Sequence, residues 1–162
     1  AVRFSPGAVE RGVAALRGRA QVITDVRMVE VGISKALLSS RKVSTRCVIA
    51  NPEVAARAQK ERTTRSVAAM RELAPYMDGA VVAVGNAPTA LLAVLDLVNQ
   101  GRAAPALVIG MPVGFVACAE SKEELLSSSV PHICIREYRG GSSAAAATVN
   151  TLLSLAEEPG AP

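Results

Sequence analysis

The chain has 162 residues, half of them hydrophobic and 20% charged, with a formal net charge of +4; that is one domain's worth of sequence with enough apolar material for a core, neither disordered nor collagen-like. Trp is absent and the aromatic residues are Phe4, Tyr76, Phe115 and Tyr138, so the core must be aliphatic and the stacking platforms of single-strand nucleic-acid binders are missing. The basic residues are dispersed (Arg17, Arg19, Arg41, Lys42, Arg62, Arg65), which suits an anionic small ligand better than a nucleic acid.

Ser5-Pro6 reads as the cap and first position of a helix that Gly18 ends, with Val9, Val13 and Leu16 on one face. Residues 21–24 are short and β-branched and read as a strand ending at Asp25; residues 28–33 are apolar but short, a turn of helix or a loop. Residues 44–50 form a second expected strand, broken by Asn51-Pro52, which opens a helix. Thr63 or Thr64 caps a further helix over residues 65–73, stopped by Pro75. Residues 80–84 are a wholly apolar strand leading to a helix over 90–99; residues 106–109 are another, with a helix over 121–126. Residues 132–135 are a last strand, followed by an Ala-rich helix to Leu155 and a polar, frayed tail over 157–162. Apolar strands alternating with helices predict an α/β fold, a three-layer arrangement with a parallel sheet covered on both faces, as one domain over residues 1–162.

In such a sheet ligands bind beyond the carboxyl ends of the strands. Three strands run there into small-residue turns: Gly85-Asn86-Ala87-Pro88-Thr89, Gly110-Met111-Pro112-Val113-Gly114 and Gly140-Gly141-Ser142-Ser143. Glycine lets backbone approach a ligand, and the following helix amino ends offer unpaired N–H groups to carboxylates or phosphates. None is a Walker A loop or a G-x-G-x-x-G fingerprint. Asp25 ends a strand at the same edge, where its carboxylate accepts a hydrogen bond from a ligand or caps a helix. Thr64-Arg65 either grips a ligand carboxylate or is a cap beside a surface arginine. Glu120 favours a helix entry, and Lys122 either pairs with it or reaches a ligand. His132, the one histidine, starts a strand at the wrong edge for this chemistry, and Cys47, Cys118 and Cys134 show no metal or disulfide spacing. Reduced thiols fit a cytoplasmic protein, and no uninterrupted apolar stretch has membrane-spanning length.

The three turns carry more than local geometry. Gly85-Asn86-Ala87-Pro88-Thr89-Ala90-Leu91, then Pro112-Val113-Gly114-Phe115-Val116 leading to Ala119-Glu120-Ser121-Lys122, then Gly140-Gly141-Ser142, resemble the precorrin-8X methylmutase family of cobalamin biosynthesis. Asp25-Val26-Arg27-Met28-Val29 with Gly32-Ile33, and Thr64-Arg65-Ser66 before Ala68-Ala69, fit the same pattern, so the resemblance runs from about Phe4 to about Leu153.

The resemblance implies an isomerase that moves a methyl group from C-11 to C-12 of precorrin-8X, giving hydrogenobyrinate or its cobalt-bearing equivalent. It implies no separate cofactor and a homodimer with the site near the subunit interface; cysteine spacing, dispersed charge and the lack of a long apolar stretch separately argue against a metal, a nucleic-acid partner and a membrane partner. It implies a substrate-binding set of Asp25, Met28, Thr64, Arg65, Asn86, Thr89, Gly114, Phe115, Glu120, Lys122, Gly140, Gly141 and Ser142, with Val113 beside Phe115 on an apolar wall. Members of the family extend further toward the amino terminus, and the proton-transfer histidine lies in that part. His132 does not match it, so no catalytic residue is carried over and the chain is expected to be an incomplete form. A shortened, non-catalytic corrinoid-binding protein is the alternative. Thr24 stands where the family is expected to allow a cysteine, a position for any small residue.

Overall fold

The computed structural model describes residues 1–136 and 139–157. Its elements in chain order are β1 (Val2–Phe4), α1 (Ala8–Arg17), β2 (Val22–Thr24), α2 (Arg27–Gly32), α3 (Lys35–Arg41), β3 (Thr45–Arg46), α4 (Pro52–Glu61), α5 (Arg65–Leu73), a 3-10 turn Ala74–Tyr76, β4 (Val81–Val84), α6 (Pro88–Asn99), β5 (Leu107–Gly110), α7 (Cys118–Leu126), β6 (His132–Ile135) and α8 (Ser142–Leu155). The six strands form one sheet in the order β1-β6-β5-β4-β2-β3. All neighbours are parallel except β1, which pairs antiparallel with β6.

The two-residue period of a strand divides the core. In β4, Val81 and Ala83 face one hydrophobic layer, while Val82 and Val84 face the other. Leu107 and Ile109 of β5 join the first layer and Val108 the second. The first layer is closed by α1, α2, α3 and α8, the second by α4 to α7. Chain direction explains the split. From β2 the chain moves outward to β3, whereas from β4 it moves the other way through β5 to β6. Right-handed crossovers taken in opposite directions put their helices on opposite faces. The reversal falls between β2 and β4, and that crevice is the switch point where α/β sheets bind ligands.

Several local expectations need correcting. Ser5 does not cap α1. Gly7, at φ 73°, precedes the helix, and the Ser5 hydroxyl instead accepts the His132 N–H at 2.8 Å. Strand β1 is an addition, and it makes the sheet mixed at one edge rather than wholly parallel; its three residues are all exposed, so no apolar alternation marked it. The strand expected over 44–50 is paired only at Thr45–Arg46, opposite Val22 and Ile23, and the chain already turns at residues 49–50. Of residues 28–33, those up to Gly32 are helical, in α2, and Ile33 leaves the helix with extended backbone. Helix α3, capped by Ser34 and without a buried residue, carries no core-facing stripe to read. Helices α6 and α7 begin earlier than expected, at Pro88 and Cys118, the first with proline at the position that needs no N–H. The polar tail expected after Glu157 lies outside the described residues.

Candidate functional site

The ends of β2, β4, β5 and β6 lie on one edge, and backbone hydrogen bonds join their turns into a continuous rim. Asp25, 1% exposed, closes the switch point. Its carboxylate accepts the N–H groups of Gly85 at 2.9 Å, Asn86 at 3.0 Å and Ala87 at 2.8 Å. The Val113 N–H then donates to the Asn86 carbonyl at 3.2 Å, and the Gly141 N–H to the Met111 carbonyl at 2.8 Å. Close packing needs glycine at two of these places. A Cβ on Gly85 would lie 2.6 Å from Val29 and 2.9 Å from the Ser142 Cα, and one on Gly140 would lie 2.6 Å from the Met111 carbonyl oxygen.

Asp25 is therefore committed to the protein's own backbone, which decides between the two roles open to it: it holds the first turn in shape and presents no free oxygen to a ligand. Burial pushes its carboxyl above the ordinary value of 3.8, and the three N–H groups pull it back. Lys122 also lies deeper than expected. It is 2% exposed, and its Nζ donates to the Arg139 carbonyl, which braces the turn after β6 from below. Glu120 is exposed in the first turn of α7 and forms no ion pair with it.

The other expected residues stand at or near the surface of the rim. Thr64 caps α5 by accepting the Val67 N–H at 3.2 Å, so the cap half of its reading holds, and Arg65 is exposed beside it. Helix α5 leads back into β4, which puts its amino end toward the rim of turns. Asn86 is exposed and Thr89 half-buried on the first turn of α6. Gly114, Gly140 and Gly141 have φ of 119°, 142° and 109°, and Ser142 is the first residue of α8. Phe115 is 89% exposed on the second turn, and Met28 is exposed on α2.

Helices α7 and α8 have no side-chain cap, so their first N–H groups are open to an anion. The rim thus offers helix amino ends and Arg65 for carboxylates, with Met28, Val31, Phe115 and Val116 as exposed apolar surface.

Sequence reading missed Asn150. Its Oδ1 accepts the Ser34 N–H at 2.8 Å and its Nδ2 donates to the Gly32 carbonyl at 3.1 Å, which fastens the α2–α3 elbow to α8. A lone amide in an Ala-rich helix was the available signal. His132 lies at the opposite edge, as expected. The three thiols are unpaired; burial pushes Cys134 up to about 11, so it is neutral and unreactive near pH 7. Among the described residues no group of three or more His, Cys, Asp or Glu is placed to hold a metal ion, and no helix is long and apolar enough to cross a membrane.

Comparison with known proteins gives the family and the fold. The family model for precorrin-8X methylmutase matches residues 1–155. A cobalt-precorrin-8 methylmutase of Priestia megaterium is 42% identical over 154 residues, covering 95% of this chain and 68% of the relative. A precorrin-8X methylmutase of Pseudomonas aeruginosa is 43% identical over 153 residues, covering 93% and 73%. The solved precorrin-8X methyl mutase of Thermus thermophilus superposes with a TM-score of 0.89 at 41% identity, covering 96% of this chain and 75% of that one. With one rim built from the turns that the sequence singled out, and with matches running nearly from end to end, the chain belongs to the precorrin-8X methylmutase family.

Proposed function

We propose that the rim of turns holds a precorrin-8X-type tetrapyrrole, with or without cobalt, while a methyl group migrates from C-11 to C-12. The observation that carries this reading is the continuity of the rim: three glycine-bearing turns along the carboxyl edge of the sheet, the first of them at the switch point, hydrogen-bonded to one another, with α7 and α8 starting there without side-chain caps. A macrocycle with several carboxylate arms needs several anion sites spread across a broad surface, and this rim has that form.

A 1,5-sigmatropic methyl shift exchanges one carbon–carbon bond for another and needs no outside electron source. The protein's task is to hold one tautomer in the reactive shape, so orientation is the main contribution of these residues. Arg65 and the N–H groups at the starts of α7 and α8 take carboxylates; Met28, Val113 and Phe115 pack against the ring. Asp25 and Lys122 act indirectly, by fixing the first and third turns.

The exposed apolar groups Met28, Val31, Phe115 and Val116 support a homodimer whose interface borders the site. Unpaired thiols support a cytoplasmic setting. The test is titration of the corrinoid product against this chain and against Arg65→Ala. Losing one charged hydrogen bond is expected to weaken binding by about 1.5–3 kcal/mol. Unchanged affinity moves Arg65 out of the site. Adding precorrin-8X to the same preparation reads methyl migration separately through the change in absorbance.

A further inference from the structure

At the edge of the sheet opposite the turns, a cavity of about 500 Å³ opens between the β1–α1 connection, the start of β6 and the loop after α7. Its polar lining is Arg3, Arg11, Ser5, Ser128, Ser129 and His132, and no Asp or Glu contributes. Phe4 and Leu126 form part of the apolar wall. Among the described residues, neither Arg3 nor Arg11 is in an ion pair. Two guanidinium groups therefore face one concave space with no carboxylate to balance them.

His132 adds a more specific constraint. Its residue is 5% exposed, and its backbone is pinned by the N–H bond to the Ser5 hydroxyl. Its Nδ1 lies 2.8 Å from the Val130 carbonyl. A carbonyl only accepts, so Nδ1 is the nitrogen that carries the proton in this contact. Nε2 forms no hydrogen bond among the described residues. No buried side-chain nitrogen or oxygen there lacks a partner, so Nε2 must reach solvent, and the cavity is the open space that His132 lines. The ring is held at one nitrogen and presents the other.

We propose that this cavity is a second binding site, for a small molecule bearing a phosphate or carboxylate group, separate from the rim of turns. Arginine forks suit the planar or tetrahedral oxygen array of such groups. The serine hydroxyls supply rotatable donors, and His132, held through Nδ1, lines the same space. The apolar wall takes the remainder of the molecule. The site joins three separate segments, so an occupant would tie the edge strand β1 to β6 and to the loop after α7.

Because His132 is the one histidine, its imidazole gives a single set of signals in proton–nitrogen NMR. Inorganic phosphate and citrate are titrated separately into the chain, against potassium chloride at matched ionic strength. The expected result is a saturable His132 shift with at least one of the two anions, with Arg11→Gln binding about tenfold more weakly. Arg11 is exposed on α1, so this variant tests the site with the fold retained, checked by an unchanged melting temperature. Saturation by phosphate alone identifies a phosphate ligand, and saturation by citrate alone a carboxylate ligand. A shift that chloride reproduces, or one that Arg11→Gln leaves at full affinity, overturns the proposal.

Discussion

Gly140 and Gly101 both sit at positive φ, 142° and 70°, yet they serve the two edges of the sheet differently. Gly101, in the turn between α6 and β5, has nothing within 4 Å of where a Cβ would stand. So does Gly79, in the turn before β4. At that edge glycine answers only the need for a left-handed turn. At the other edge Gly85, Gly110 and Gly140 are each closed in, by Ser142, Leu125 and the Met111 carbonyl respectively. There glycine allows one turn to lie on the next. Gly114, in the second turn, has open space like Gly101, so it is the enclosed glycines, Gly85, Gly110 and Gly140, that mark the built surface.

At the rim the buried Asp25 accepts three backbone N–H groups, where the opposite edge has Asp78 accepting only that of Ala104 at 2.8 Å, so removing Asp25 is the strongest way to break the contrast. Asp25→Ala leaves three N–H groups without their acceptor, two of them buried. The expected loss is about 4 kcal/mol of folding stability, read as a lowered denaturation midpoint, together with loss of product binding. A variant that unfolds normally and still binds would show that the turn keeps its shape unaided.

The glycines give a paired test. Gly140→Ala places a methyl group against a backbone carbonyl, which no side-chain rotation relieves, and adds strain at φ 142°. A cost of about 3 kcal/mol is expected, with product affinity falling as the third turn shifts. Gly101→Ala meets only the strain of a left-handed backbone, about 1 kcal/mol, with product affinity unchanged. Equal costs at the two positions, or a binding defect in Gly101→Ala, would erase the distinction between the edges.

How far the sequence could be read follows the same physical division. Strands buried on both faces, such as Val81–Val84, declare themselves by unbroken apolar character, and the turns that follow them by glycine and proline. Thr64 was legible as a cap because capping is a local act between near neighbours. Strand β1 and helix α3 were not, because neither presents a buried stripe. The commitment of Asp25 spans sixty residues of chain to Gly85, and nothing local announces it. Lys122 is a middle case. It shares the buried face of α7 with Cys118, Ser121 and Leu125, a helical spacing that was present but outweighed by the lysine's charge.

The smallest effect asks which force sets the charge of Asp25. Burial raises its carboxyl above 3.8 in the folded protein, and the three N–H groups oppose that rise without cancelling it. A raised carboxyl favours the folded state most below about pH 4, where the group is protonated in both states, and that advantage is lost as pH climbs through the folded value. Asp25→Asn does not titrate, and it keeps one oxygen for the N–H groups. The stability gap between the natural chain and Asp25→Asn is therefore expected to narrow from pH 4 toward neutrality. Urea midpoints at several pH values and constant ionic strength measure that gap, and titration of every other group cancels in the difference. A gap that widens with pH would mean that the backbone N–H groups of the rim outweigh burial, making the rim a stronger anion holder than its own internal carboxylate indicates.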